Sequence, residues 1–245
     1  MKVGFLLHVY HLETDGWERM VWGDPAKDEL GTATKFVECL LDVPVDDETV
    51  AVVYSGPSER DGLGEGAYTK RCLLDRLEQL ADFPRLKQKL DQLSAAEYEC
   101  FVGRLQGIVL GPVIKNTLAE VESAGEYFNH CHADKVFQIA AATHAPRCLR
   151  DQAAVRVRGG IDKRQQWFMV AADGNYKGYT PDDIIIAEPL HRTDNPLYGF
   201  HPAWVEVTRP YSYLTPENKK TVLRQIDGIM ADALLSQPES TEVVN

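Results

Sequence analysis

Apolar residues along the chain gather in short, dense runs separated by stretches of helical spacing. The runs at residues 2–8 (KVGFLLH), 49–55 (TVAVVYS), 107–111 (GIVLG), 135–144 (KVFQIAAATH) and 165–173 (QQWFMVAAD) have the character of strands buried on both faces of a parallel sheet. A further run, DIIIAEPLHR, covers 183–192. Between them, Ala33, Phe36, Val37, Leu40 and Leu41 repeat at helical spacing. A second helix is predicted from near Glu65 through Tyr68, Cys72, Leu73, Leu77 and Leu80, and a third over 117–131 with Leu118, Val121 and Tyr127 inward. Residues 145–153 read as a helix or turn, and 216–235 as an amphipathic helix capped by Thr215 with Pro216 at its first position. Strands alternating with helices predict an α/β fold, a doubly wound and mostly parallel sheet with right-handed crossovers.

Two stretches interrupt that alternation. Residues 9–29 hold Gly16, Trp17, Trp22, Gly23 and Pro25 among acids and read as a long loop with a functional role. Residues 84–106 read as an inserted helical pair: Pro84 opens one segment, and Ser94 with Glu97 forms a capping box for the next. This insert is expected to be a lid or an interface. The whole reads as one domain over 1–236 and a frayed tail over 237–245.

Composition narrows the partners. A net charge of -11 disfavours nucleic acid and anionic membrane surfaces. The most basic stretch, 156–164, carries Arg156, Arg158, Lys163 and Arg164 around two glycines; it has room for one phosphate or is a plain solvated strand-to-strand turn. Five cysteines, odd in number and widely spaced, read as reduced thiols. The opening apolar run is too short for a signal-peptide core or a spanning helix, so a soluble, cytoplasmic protein is expected.

The chemistry-bearing residues fall where strands end. Ser55 and Gly56 close the second run and permit close backbone approach, as a tight turn would also require. Glu65 reads either as an acceptor for a ribose hydroxyl or a proton, or as a carboxylate favoured by the helix dipole. Asn116 and Thr117 open a helix, where they hold an anion or simply cap. Glu120 lies one turn further on, a second carboxylate or a solvated helix face. His144 and Arg147 follow the fourth run, and the expected roles are general acid or base for the imidazole and anion clamp for the guanidinium. Replacing His144 with Ala is accordingly expected to leave the melting temperature nearly intact. His8 ends the first run as a supporting contact or a buried, satisfied histidine.

Other groups carry weaker readings. His130 and His132 bracket Cys131, but on a helix they point apart, so no metal is assigned. Asp24 and Asp28 have the chemistry to hold Mg²⁺ beside a phosphorylated substrate, and a divalent ion is left open. Glu188, His191 and Arg192 follow the last strand-like run.

Three blocks, VVYSGPSERDGLGEGAYTKRCLL, GPVIKNTLAEVESA and KVFQIAAATHAPRCL, resemble in that order the YdcF/SanA/ElyC family, with its Ser-Gly-Gly strand end and following Glu, its Asn-Thr helix start and its His-Met-Pro-Arg strand end. They span about a third of the chain. Pro57 stands where the family has a second Gly, Gly111 where it has Glu, Ile114 where it has Ser, and Glu120 where Asn is common. The resemblance implies a Rossmann-like domain, with S-adenosylmethionine bound by one relative and envelope biogenesis served by membrane-anchored others. Neither the glycine fingerprint of dinucleotide binders after the first strand nor a Walker loop is present.

The leading expectation is an enzyme, transferase or hydrolase, acting on a nucleotide-like or phosphorylated small molecule. In it His144 and Glu65 serve catalysis, and His8, Ser55, Gly56, Asn116, Thr117, Glu120 and Arg147 bind the ligand. A noncatalytic module for S-adenosylmethionine or a nucleotide is the alternative, and an envelope-assembly adaptor docking through 84–106 a third. A homo-oligomer is left open.

Overall fold

The computed structural model describes residues 1–114 and 116–174. The expected strand at 183–192, the helix at 216–235, the tail, and Glu188, His191 and Arg192 lie outside the described residues.

Five strands form one all-parallel sheet: β1 (Lys2–Leu7), β2 (Glu48–Ser55), β3 (Val109–Val113), β4 (Lys135–Ala141) and β5 (Gln166–Ala172). Their order across the sheet is β3-β2-β1-β4-β5. This is the doubly wound, Rossmann-like arrangement that the alternation of runs and helical spacing predicts.

Alternation within β1 sorts the core into two halves. Val3, Phe5 and Leu7 face one side of the sheet, against α2 (Thr32–Leu41), α3 (Glu65–Asp75), α4 (Pro84–Leu90) and α5 (Ala95–Gln106). Leu6 faces the other, against α6 (Thr117–Cys131) and α7 (Ala145–Val157). On that second side helix and strand approach closely: a Cβ on Gly4 would stand 2.7 Å from the Phe128 ring, so only glycine fits. Gly111 in β3 is held to glycine in the same way, because a Cβ would run into the Tyr54 ring. A glutamate at that position would meet the same ring.

The stretch between β1 and α2 is no open loop. It contains a short helix, α1 (Trp17–Val21), and a two-residue-strand hairpin, Gly23–Asp24 with Glu29–Leu30. Leu12, Met20 and Leu30 are wholly buried, and Trp17 and Trp22 nearly so. Leu30 is tied to the chain beyond β5 by Leu30 N–H to Asp173 Oδ2 and Asp173 N–H to the Leu30 carbonyl, each 2.9 Å.

The helical pair 84–106 forms as the sequence indicates, with the Ser94–Glu97 capping box in place. It is not a lid. Leu86, Phe101 and Leu105 are buried in the α2/α3 side of the core, and Arg104 near the end of α5 donates to the carbonyls of Val43, Pro44, Val45 and Asp47. Those carbonyls precede β2, at the amino-terminal edge of the sheet, whereas the site residues gather at the carboxyl edge.

No helix among the described residues is long and apolar enough to cross a membrane. The five cysteines are free thiols.

Candidate functional site at the carboxyl ends of β1 and β4

β1 and β4 are neighbours, yet the chain leaves β1 toward the α2 side and β4 toward the α7 side. That divergence makes the region beyond their carboxyl ends the topological switch point, the usual place for a ligand in an open α/β sheet. A polar network built from four segments occupies it. His8, the first residue after β1, is wholly buried. Its Nδ1 lies 2.8 Å from Glu120 Oε2 in the first turn of α6, and its Nε2 lies 2.8 Å from the side-chain amide of Gln138 in β4.

His144 stands at the amino-terminal cap of α7, 5.4 Å from His8 between ring centroids. Its Nε2 receives Arg147 Nη2 at 2.6 Å and lies 3.2 Å from Thr117 Oγ1, while its Nδ1 lies 3.3 Å from the Tyr10 hydroxyl. Tyr10 in turn accepts the Ala141 N–H at 2.6 Å. Thr117, His144 and Arg147 are all buried. Asn116 caps α6, its Oδ1 accepting the Ala119 N–H at 2.9 Å. The structure thus brings together His8, Asn116, Thr117, Glu120, His144 and Arg147 as the sequence suggests, and Glu120 is no solvated helix face.

The surroundings push the two histidines in opposite directions. Burial works against protonation of His8, but Cys148 and Glu120 beside it outweigh burial and hold its pKa well above the ordinary value. At His144, burial, then Arg147, His8 and Arg150, all act together to push the pKa well below that value. His144 is therefore a neutral imidazole carrying its proton on Nδ1, because Nε2 accepts from a guanidinium. These groups shift His144 away from the titration near neutrality expected of it, and its basic lone pair is engaged by Arg147. The geometry makes it a positioning group for Arg147 and Thr117.

The turn after β2 is built differently. Glu65, the first residue of α3, is buried and reaches back over the turn: Oε2 accepts the Gly56 N–H at 2.7 Å, and Oε1 accepts the Ser58 hydroxyl at 2.5 Å and its N–H at 3.4 Å. Ser58 Oγ accepts the Leu12 N–H at 2.9 Å, and Ser55 Oγ accepts the Gly66 N–H at 2.9 Å. A Cβ on Gly56 would stand 2.6 Å from Glu65 Oε2, which explains the glycine. Both oxygens of Glu65 are thus committed to the turn. The catalytic role expected for Glu65 gives way to a structural one, because the donors that would cradle a ligand's anion already bind this carboxylate.

Other expectations resolve plainly. The basic stretch 156–164 is the end of α7 and the turn after it: Arg158 pairs with Glu122 at 3.2 Å, Arg164 with Asp162 at 2.7 Å, and Arg156 donates to the Gln165 carbonyl at 3.1 Å. Asp24 pairs with Lys27 at 3.5 Å and Asp28 faces Arg85, so their charge is balanced within the protein. Among the described residues no group of three or more His, Cys, Asp or Glu side chains is arranged so that it could hold a metal ion. Tyr10, Ser58 and Gln138 enter the network unforeseen. For Gln138 the sequence held a signal, one amide inside an otherwise apolar strand.

At the end of β1 the chain continues into Tyr10 and Leu12, both buried, where a dinucleotide site would have glycines against a pyrophosphate. No family model matches the chain, and no curated protein or solved structure matches it either.

Proposed function

We propose that the chain binds a phosphorylated or nucleotide-like small molecule beyond the carboxyl ends of β1 and β4. The observation that carries this reading is the concentration of polar and charged side chains, His8, Gln138, His144 and Arg147 buried and Glu120 partly so, at the point where the winding of the sheet reverses. Burying such groups is costly, and a core of the same shape is built more stably from apolar residues. The buried Arg147 guanidinium and the amino-terminal ends of α6 and α7 supply positive potential for an anionic group. The turn after β2 adds no anion site, since Glu65 fills it.

In this reading the protein is a binding module, for a nucleotide or for S-adenosylmethionine as the resemblance to the YdcF/SanA/ElyC family suggests. What favours it over a transferase or hydrolase is that both ring nitrogens of His8 and of His144 are engaged, which leaves neither histidine ready to move a proton to a ligand. For the adaptor reading, the 84–106 helices bury one face, through Leu86, Phe101 and Leu105, and leave the opposite face, with Tyr98, to solvent.

The test is a thermal-shift series with inorganic phosphate, adenosine monophosphate, ribose 5-phosphate and S-adenosylmethionine, on the wild type and on Arg147→Met. A ligand of the native state raises the melting temperature of the wild type by mass action, and the variant loses that response to the anionic ligands. A wild type indifferent to every compound, or an Arg147→Met protein that responds undiminished, refutes the reading. Turnover of any of these compounds by the wild type would restore the enzymatic alternative.

A further inference from the structure

Glu120 is the network's one partly open charged group. Its side chain is 13% exposed where that of His8 is 0%, and only its Oε2 is used, by His8. Oε1 has no hydrogen-bond partner among the described residues. It sits three residues after Thr117 on α6, so the two side chains share one face of the helix about one turn, roughly 5 Å, apart.

Gln138 meets the other ring nitrogen of His8. As placed, its amide nitrogen stands 2.8 Å from His8 Nε2, and the Gln138 Oε1 atom is buried with no partner among the described residues. Rotating the terminal amide by half a turn presents that oxygen to Nε2. His8 then donates from both ring nitrogens, to Gln138 Oε1 and to Glu120 Oε2, which is the hydrogen-bonding pattern of an imidazolium. A buried imidazolium beside a carboxylate forms a neutral pair and fixes the carboxylate's orientation.

We propose that Glu120 is the acceptor that recognises a hydroxyl of the ligand, and that His8 is the buried cation that orients it. The inference rests on the reading of the site given above and names the ligand class within it: a phosphorylated sugar or nucleoside, with its phosphate toward Arg147 and Thr117 and a hydroxyl on Glu120 Oε1. The donor is a neutral hydroxyl because the charge of Glu120 is already balanced by His8. A cationic group there would face both His8 and Arg147. Glu120 stands at a position where the resembling family commonly carries Asn, so this chain's selectivity would be its own.

Isothermal titration calorimetry with ribose 5-phosphate and inorganic phosphate tests the proposal on the wild type and on Glu120→Ala. The wild type is expected to prefer ribose 5-phosphate by about tenfold or more, the usual worth of a hydroxyl bound by a charged acceptor. Glu120→Ala is expected to lose that preference and keep its affinity for phosphate. Nitrogen-15 spectra of histidine-labelled wild type at neutral pH should show His8 with both ring nitrogens protonated. A wild type that binds both probes equally, a variant that keeps the preference, or a neutral His8 overturns the inference and leaves the anion site standing. A wild type that binds neither probe overturns both.

Discussion

The turns after β2 and β4 start from the same edge of one sheet and lead into similar helices, yet they are finished in opposite ways. After β2, the carboxylate of Glu65 folds back onto the amides of Gly56 and Ser58. The turn makes an anion cradle and fills it from within. After β4, the first helical turn carries no acid; His144 and Arg147 stand there, backed by Thr117 and Tyr10 from distant segments. A strand end in an open α/β sheet is thus not a binding site by position alone. What differs is where the partners come from: a carboxylate of the adjoining helix after β2, and side chains of distant segments after β4.

The comparison is most directly broken at Glu65. Replacing it with Ala leaves the buried donors of Gly56 and Ser58 without their acceptor, and stability is expected to fall by about 3 kcal/mol. Urea denaturation measures this, and a stable Glu65→Ala protein that fails to respond to ligands would return Glu65 to the binding site. At the other turn, His144→Ala removes hydrogen bonds to Arg147, Thr117 and Tyr10 and is expected to cost about 2 kcal/mol. The expectation of a nearly intact melting temperature, reasonable for an exposed catalytic histidine, does not suit one this buried. Denaturation midpoints in urea separate the two outcomes.

The smallest expected effect is a pH dependence with two limbs. His144 has a depressed folded-state pKa, so the unfolded chain takes up the proton first, and stability is lost as pH falls below the reference value of 6.5 toward the folded pKa. His8 has a raised pKa, so its contribution is complete below 6.5 and is lost as pH rises through the folded value. Each limb has a limiting slope of about 1.4 kcal/mol per pH unit. Stability curves taken from pH 5 to 8 on the wild type and on each histidine variant check the assignment. Loss of the acid limb in His8→Gln, instead of the alkaline one, would reverse it.

Much of the fold was legible in the sequence because a parallel sheet leaves a direct mark. β1, β2 and β4 are buried on both faces and therefore read as uninterrupted apolar runs, and α6 begins and ends where Asn116 and Cys131 indicate. The segment before α2 was not legible. Leu12, Trp17, Met20 and Leu30 are buried without any repeating period, since a short helix and a hairpin succeed each other too quickly to show one. That His8, Thr117, Glu120, His144 and Arg147 lie near one another was legible from the strand ends and helix starts they occupy, but their hydrogen-bond partners were not. Arg147, three positions on, is a partner that sequence could offer for His144, but Tyr10, 134 positions away, and Thr117, 27 positions away, are partners that no local pattern foretells. Glu65 looked reactive because it stands at a helix start; its commitment to Ser58 depends on how the turn closes.

The staple between Leu30 and Asp173 has a consequence for how the chain reaches this state. It closes across 143 positions, and the contact from Lys2 to Asp134 across 132. Contacts so far apart in sequence must be formed against a large loss of chain entropy before they return any stability. Refolding is therefore expected to be slow for the protein's size. The α2–α5 side, whose contacts are nearer in sequence, should acquire protection from solvent exchange before β1 is flanked on both sides.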